Sequence, residues 1–240
     1  YRTQIFTPTK EITFSGHILL ATAYVINHFL VPSQLSEIKL QLNNGEITIN
    51  SRNLPSDGKF AFISKHKPVF FSDQGKPEFG KTFDRVLLAR ILNLEVADIE
   101  DEFPIQEISI GLGFIIIPIK SLNAIKNITI NRERYQWLVQ KTNAKALLAF
   151  TPEVEEEHND FHVRVFAGYY GIQEDSASGS GNGCLAAYLA KYRYLDNNSV
   201  NIKIEINRPS QIIAQAEAQD EIDVSIGGQI ILIGKGELYI

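Results

Sequence analysis

Residues 174–180 read Glu-Asp-Ser-Ala-Ser-Gly-Ser, and residues 11–17 read Glu-Ile-Thr-Phe-Ser-Gly-His. The Glu, Ser and Gly fall at the same places in both stretches, and a polar residue follows each Gly. An apolar, helix-like segment comes next in each case, and Ala23 and Ala186 lie at equal positions along the two segments. Internal similarity of this kind predicts two equivalent halves. The alternative is that Gly and Ser are simply common before helices.

The two helix-like segments, residues 17–30 and 182–194, are apolar nearly all round. A helix of that kind is buried inside its domain. Short strands predominate in the rest of the chain, among them 59–65 and 229–233, whereas 67–80 is rich in Pro, Gly and polar residues and is predicted to be a loop. The pattern therefore indicates an α+β protein in which strands wrap around a central helix twice.

Composition excludes several classes of function. The chain has 240 residues, 23 Lys and Arg against 28 Asp and Glu, and no basic block, so a nucleic-acid partner is not expected. The longest apolar run, residues 110–119, is shorter than the roughly 20 residues that span a bilayer, and no membrane partner is expected. With one cysteine no internal disulfide can form. We expect a soluble, cytoplasmic protein.

The sequence contains no methionine. We therefore expect that residue 1 is not the start of the reading frame and that residues upstream of it are missing from this sequence.

The entrances of the two helices predict the kind of ligand. The first N–H groups of a helix have no partner within the helix, and its dipole adds partial positive charge there. Two such ends facing one cleft would bind carboxylates or phosphates. The glycine-rich stretch 178–183 lets a ligand approach the backbone. It lacks the Gly-Lys-Ser/Thr ending of a P-loop and the spacing of a dinucleotide turn, so nucleotide binding is disfavoured.

These motifs resemble those of the phenazine-biosynthesis PhzF-like family. Residues 6–17 are similar to the family form F-T-P-x-x-E-x-x-x-x-G-H, residues 174–181 to E-D-P-x-T-G-S-A, and residues 207–210 to its G-R-P-S segment. The resemblance runs along the whole chain and implies the diaminopimelate-epimerase-like fold: two pseudo-symmetric halves, each a β-barrel wrapped around a central helix. It implies halves at residues 1–103, with 228–240 returning to the first, and at 104–227, the first half being N-terminally incomplete.

The family includes isomerases that move a proton on a small carboxylated substrate without a cofactor or a metal. Carried over to this sequence, the resemblance implies that His17 and Asp175 are catalytic. It implies a substrate-binding role for a second set, of which the glycines would offer backbone amides to the substrate carboxylate: Gly16, Gly179, Ser180, Gly181 and Asn182.

The sequence departs from the family pattern in three ways. The proposed acid/base glutamate of the family lies upstream of the first motif, in a region that this chain lacks. The usual Pro and Thr of the aspartate motif are Ser176 and Ser178. The two cysteines of the epimerase relatives are replaced by His17 and Ser180, which disfavours a two-thiol mechanism. Cys184 lies one turn further on and is expected to be an inert core thiol.

Each candidate residue also has a structural interpretation. His17, which can exchange a proton near its ordinary pKa of about 6.5, could instead be a polar residue that caps a helix. Asp175 could be an acidic residue in a turn, and Ser180 could cap its helix. Glu11 and Glu174 are expected to be structural.

The sequence therefore predicts a cofactor-independent isomerase or epimerase that acts on a small carboxylate between the halves. The alternative is a non-catalytic carboxylate-binding protein of the same fold. Exposed strand edges would allow a homodimer.

Overall fold

The computed structural model describes residues 1–6, 11–12, 15–43, 45–52, 69–175, 178–196, 199–206, 210–218 and 221–237. The chain forms two compact units, residues 1–72 with 227–240 and residues 73–226. The division into halves at 103 and 104 that the resemblance implies stays a prediction. No helix of the described residues is long and apolar enough to cross a membrane.

The first unit packs one helix on a small sheet. Strands β1 (Ile5–Phe6) and β2 (Glu11–Ile12) form an antiparallel pair. Helix α1 (Gly16–Val25) continues as a π-helical turn, Ile26–Leu30. The hairpin of β3 (Glu37–Leu42) and β4 (Gly45–Arg52) then pairs with β5 (Val69–Gly75). The core lies between helix and strands and includes Leu19, Leu20, Ala23, Ile38, Leu40, Ile49 and Phe70.

The second unit is built on a larger sheet, whose strands after β5 are β6 (Glu78–Phe83), β7 (Ile105–Ile110), β8 (Leu112–Pro118), β9 (Ala146–Thr151), β10 (Phe161–Ala167), β11 (Ile172–Asp175), β12 (Ser199–Ile206), β13 (Ser210–Ala218) and β14 (Ile222–Gly228). Their order is β14-β13-β12-β10-β9-β8-β7-β6, with β11 also paired to β10. The β8–β9 and β10–β12 pairs are parallel.

Helices cover both faces of this sheet. Helix α5 (Gly179–Lys191) packs on one face, whereas α2 (Arg85–Leu92), α3 (Leu122–Lys126) and α4 (Arg132–Gln140) cover the other. In β8, Phe114 and Ile116 pack with α5, and Ile115 and Ile117 face the three outer helices. Burial of both faces explains why this strand reads as a continuous apolar run rather than an alternating one.

The predicted α+β class is confirmed, but the predicted barrel is not. Strand β6 ends the order and pairs only with β7, so the described strands form an open sheet wrapped around α5 rather than a closed barrel.

Helix α5 confirms the prediction of a buried, all-round apolar helix, since every residue from Gly179 to Ala190 is buried. It begins at Gly179, three residues earlier than predicted, because Ser178 caps its first turn. Helix α1 is less deeply buried, with Gly16, Leu19, Leu20 and Ala23 inside and Val25 exposed.

Two other predictions about strands and loops are wrong. Residues 67–80 are not a loop throughout, because β5 and the start of β6 lie there. Val69, Phe70 and Phe71 of β5 are fully buried, and only a short turn after Gly75 separates the strands. Residues 229–233 form no strand, and Ile233 is 98% exposed. The predicted strand 59–65 lies outside the described residues.

Candidate functional site

The N-terminus of α5 is built by four consecutive small residues and an asparagine. The Ser178 side chain accepts a hydrogen bond from the Gly181 N–H over 3.2 Å, and the Asn182 N–H donates to the Ser178 carbonyl over 3.1 Å. Gly179 and Ser180 precede this first backbone bond of the helix, so their N–H groups have no partner within it. Both residues are buried. The helix therefore offers two N–H donors at the positive end of its dipole.

Close packing explains the glycine at position 181. A Cβ there would lie 2.9 Å from Ser178 Oγ, 3.0 Å from Phe114 Cε1 and 3.2 Å from Leu148 Cδ1. Such distances are shorter than ordinary van der Waals contacts. Gly181 therefore allows the first turn of α5 to press against β8 and β9, where the family motif has alanine.

Asp175 is the last residue of β11 and is half-buried. Its strand pairs antiparallel with β10, Val165 opposite Asp175. Because only two residues separate Asp175 from the cap Ser178, the end of β11 lies within about 11 Å of the start of α5 along the chain.

The neighbouring Glu174 is paired with Arg164, which also bonds to backbone carbonyls at the end of α3. Arg164 donates through Nε and Nη2 to the two carboxylate oxygens of Glu174, each over 2.9 Å. Its Nη1 donates to the carbonyls of Ile125, Lys126 and Ile128 over 3.0–3.1 Å. The guanidinium group thus ties β11 to the end of α3, and it fixes the strand that carries Asp175. This agrees with the structural role expected for Glu174.

In the first unit, Gly16 and His17 open α1. Gly16 is buried and His17 is exposed, and the first backbone bond of the helix runs from Leu19 N–H to the Ser15 carbonyl over 3.1 Å. The Ser15 side chain makes no capping hydrogen bond. His17 is therefore a helix-start residue whose imidazole does not lie in the core.

The two helix entrances occupy the same helical positions. Ser15 and Ser178 are the cap residues, Gly16 and Gly179 the first helical residues, and His17 and Ser180 the second. Ala23 and Ala186, seven residues into each helix, are both fully buried. The residues that match in the sequence repeat therefore also match in their positions along the two helices.

The second unit brings Asp175 and residues 179–182 together at one strand–helix junction, whereas Gly16 and His17 belong to the other unit. Cys184 is buried one turn further along α5, and burial raises the pKa of its thiol to about 12. Among the described residues there is no cluster of three or more His, Cys, Asp or Glu that could hold a metal ion.

A cavity of about 910 Å³ lies beside this junction, on the opposite side of β10 from α5. Arg132, Tyr135, Arg164, Tyr169 and Glu174 are among its lining residues, but neither Asp175 nor residues 179–182 line it. It is therefore not the site that the motifs predict.

One buried polar cluster was not predicted from the sequence. His162 on β10 donates through Nδ1 to Glu205 on β12 over 2.9 Å, and both side chains are buried. The Asn159 side chain and the N–H groups of Glu155 and Glu156 also donate to the Glu205 carboxylate. The partners lie 43 residues apart in sequence, and only the β10–β12 pairing places them side by side.

Comparison with known proteins identifies the class to which this fold and these motifs belong. The model of the family described as phenazine biosynthesis-like protein, PhzC-PhzF, matches residues 1–236. The chain belongs to this family, as the motifs predicted.

Relatives in this family are named as isomerases. The chain is 27% identical over 250 residues to an uncharacterized isomerase of Clostridium acetobutylicum, covering 99% of this chain and 78% of that protein. It is 26% identical over 249 residues to trans-2,3-dihydro-3-hydroxyanthranilate isomerase of Pseudomonas aeruginosa, covering 100% of this chain and 79% of that protein. The predicted assignment to the isomerases is supported by these relatives.

Solved structures support the same fold. The phenazine biosynthesis protein of the PhzF family from Bacillus anthracis superposes with a TM-score of 0.86 at 21% identity, covering 100% of this chain and 80% of that one. A hydroxyproline epimerase from Agrobacterium vitis gives a TM-score of 0.59 at 9% identity, over 95% of this chain and 67% of that one. The fold is therefore the one that PhzF-like and epimerase proteins share.

Proposed function

We propose that the protein is an isomerase that moves a proton on a small carboxylated metabolite by acid/base catalysis without a cofactor. The observation that carries the proposal is the junction of β11 and α5. There a half-buried carboxylate, Asp175, is followed within a few residues by a helix N-terminus with two N–H groups that have no partner within the helix. One group can exchange a proton, and the other two can hold an anion.

In the proposed mechanism, the N–H groups of Gly179 and Ser180 bind the substrate carboxylate. We assign the contact to these two because the Gly181 N–H already donates to Ser178 Oγ. When a proton leaves the carbon next to a carboxylate, negative charge grows on the carboxylate oxygens. Fixed donors at a helix N-terminus stabilise that charge more in the transition state than in the substrate.

Asp175 and His17 are the proposed proton carriers. A carboxylate and an imidazole can each take a proton from one atom and return it to another, as an isomerisation requires. The assignment of His17, like the amide contact proposed for Gly16, rests on the family motif and on its position in the first turn of α1. Asn182 and Ser180 complete the proposed binding set.

The substrate class is tested first with trans-2,3-dihydro-3-hydroxyanthranilate, because one relative is named for its isomerisation. We expect conversion by the wild-type protein and a loss of about 10²–10⁴-fold in kcat for Asp175→Asn and for His17→Asn, the usual contribution of a general acid or base. A matched control is Asp160→Asn, which removes a half-buried carboxylate from the same unit but from outside the proposed site. Unchanged turnover in Asp175→Asn would contradict the assignment. Tight binding without turnover by the wild type would favour the non-catalytic carboxylate-binding protein instead.

A further inference from the structure

The cavity on the outer side of β10 has no role in the proposed reaction. It measures about 910 Å³, and all its lining residues belong to the second unit. They come from α4, from the β10–β11 hairpin and from residues 128–130. Ligand sites in proteins have volumes of about 300–1,000 Å³. The cavity is therefore large enough to take a small molecule of its own.

The floor of the cavity is apolar and aromatic. Ile128, Tyr135, Val139 and Phe166 line it, and all four are buried. At its edge lies Tyr169, which is 57% exposed. Aromatic rings pack on one another face to face with an offset, or edge to face. Such a floor therefore suits a ligand with a flat, apolar body.

Contacts within the protein hold this floor in place. The Tyr135 hydroxyl group donates to the Lys145 carbonyl over 2.6 Å and accepts from the Tyr169 N–H over 3.0 Å. The Arg164 guanidinium group lies 4.9 Å from the centre of the Phe166 ring. The walls are thus fixed before a ligand arrives, and little conformational entropy is lost when one binds.

The rim of the cavity carries polar side chains that the fold does not use. Arg132, Gln136 and Gln140 lie four residues apart on α4, so they form a row on one face of the helix in steps of about 6 Å. All three line the cavity and are exposed, as is Gln173 of β11. None of these four side chains is hydrogen-bonded or ion-paired to another described residue. They can therefore bind a ligand without breaking a contact of the fold.

The charges of the lining indicate the sign of the ligand. Among the described residues that line the cavity, Arg132, Arg164 and Glu174 are charged, and the last two pair with each other. The Arg132 guanidinium group is left as the unbalanced charge of the lining. Arginine binds carboxylates through two parallel hydrogen bonds. The cavity is therefore complementary to an anion.

We propose that this cavity is a second ligand site, which binds a small aromatic monoanion with its ring on the apolar floor and its carboxylate on Arg132. The amide groups of the three glutamines would bind further polar substituents of the ligand. The inference does not depend on the proposed isomerase function, because the cavity shares no residue with the proposed catalytic and carboxylate-binding set.

Two probes of the same shape test the charge complementarity: 2-naphthoate, an anion, and 2-naphthamide, which is neutral. We expect the wild-type protein to bind 2-naphthoate about 3- to 10-fold more tightly than 2-naphthamide. This gain lies between that of an exposed ion pair and that of a buried hydrogen bond to a charged group. Titration calorimetry measures both dissociation constants.

Three variants on α4 locate the binding. Arg132→Gln removes the charge and is expected to bind the two probes equally. Gln136→Trp fills the cavity from an exposed helix position and is expected to abolish binding of both probes. Arg134→Gln is the matched control, because Arg134 is an exposed arginine of the same helix that does not line the cavity. It is expected to bind both probes as the wild type does.

Several outcomes would overturn the inference. One is that 2-naphthoate does not bind to the wild type at millimolar concentration, and another is that the wild type binds the two probes equally. Binding that persists in Gln136→Trp would place the probe elsewhere, for example at the N-terminus of α5. Equal losses in Arg132→Gln and Arg134→Gln would show a general effect of net charge. If Gln136→Trp does not fold, the two arginine variants still decide the question.

Discussion

At the scale of single residues, Glu205 is a buried carboxylate that accepts several hydrogen bonds. Its oxygens accept hydrogen bonds from the N–H groups of Glu155 and Glu156, from Asn159 and from His162. Burial tends to raise the pKa of this carboxyl group, but the hydrogen bonds, led by that of the Glu155 N–H, together hold the pKa below its ordinary value of 4.5. The ionised form is therefore the one that the fold stabilises.

This lowered pKa predicts how stability depends on pH. A carboxyl group whose pKa is lower in the folded than in the unfolded state stabilises the fold above the unfolded pKa, and that contribution is lost as the pH falls through the folded pKa. Glu205→Gln is therefore expected to lower the free energy of unfolding by about 2–4 kcal/mol at pH 7. The difference from the wild type should shrink as the pH falls below 4.5. Urea unfolding at several pH values measures it, and a difference that grew in acid would contradict the account.

Cys184 gives a second test at this scale. Because burial raises the pKa of its thiol to about 12, almost no thiolate is present at pH 8, and the side chain is inaccessible. We expect the native protein to react with a thiol reagent such as dithionitrobenzoate at least about tenfold more slowly than the unfolded protein. Cys184→Ala, which removes the only cysteine, supplies the blank. Equal rates in the native and unfolded protein would show that the first turns of α5 are open to solvent.

Short motifs predict single residues well only where the partners are close in sequence. The motif of residues 174–182 can be recognised because its members are close in sequence, and the roles that it implies for Asp175 and residues 179–182 stay predictions. The His162–Glu205 pair could not be predicted, since neither residue carries a motif and the parallel pairing of β10 with β12 brings them together. Arg164 lies outside the motif, and its bonds to three carbonyls depend on the end of α3 packing against β10.

At the scale of elements, Gly181 and Gly183 of α5 differ in how closely their neighbours pack against them. A Cβ at Gly181 would meet three atoms at 2.9–3.2 Å, whereas a Cβ at Gly183 would meet its nearest neighbours at 3.5–3.6 Å, an ordinary contact distance. We therefore expect Gly181→Ala to lower the free energy of unfolding by about 1–3 kcal/mol, through overpacking. Gly183→Ala is expected to raise it by about 0.5–1 kcal/mol, because alanine favours a helix interior.

The two variants control each other, since they make the same change two residues apart in one helix. Urea unfolding of both gives the comparison. Destabilisation of similar size in both would contradict the packing that distinguishes them.

Arg164 is the positioning residue of the site at this scale, because it joins β11 to the end of α3. Lysine cannot reproduce the paired bonds to Glu174 together with the bonds to the carbonyls. Arg164→Lys is therefore expected to lower the free energy of unfolding by about 2–4 kcal/mol and to lower kcat more than it raises KM, as Asp175 shifts. Arg132→Lys, an exposed arginine at the start of α4, should stay within about 0.5 kcal/mol of the wild type. Equal effects of the two variants would contradict the anchoring role.

Helices and strands could be predicted where they depend on residues close in sequence. The prediction failed where contacts between distant residues decide whether a segment forms a strand. A pattern among neighbouring residues is enough for some elements: residues 84–94 have the apolar spacing of a helix, and Asn43-Asn44-Gly45 is a hairpin signal. The structure has α2 and the β3–β4 hairpin there. The segment 67–80 contains Pro and Gly, which favours a loop. Its buried residues Val69, Phe70 and Phe71 nevertheless form a strand, because they pair with β4. Four of residues 229–233 are apolar, as in a buried strand, yet they form no ladder among the described residues.

At the scale of the whole molecule, the repeat predicted strands wrapped around a helix in two places, and the family comparison confirms the fold. The open sheet could not be predicted, because closure depends on edge strands whose pairing leaves no signal in the sequence. Homodimerisation, a cytoplasmic location and the absence of a nucleic-acid partner stay predictions. Size-exclusion chromatography with light scattering tests the first.

The measurement that tests the central claim most directly is solvent deuterium incorporation by the purified protein after dialysis against EDTA. The protein is incubated in D₂O with trans-2,3-dihydro-3-hydroxyanthranilate and with no added cofactor, and the product is analysed by NMR and mass spectrometry. The account predicts a product with deuterium bound to carbon, formed at an unchanged rate after the dialysis and slowed about 10²–10⁴-fold in Asp175→Asn. A product formed at the same rate by Asp175→Asn, or formed only when a metal or cofactor is restored, would contradict it.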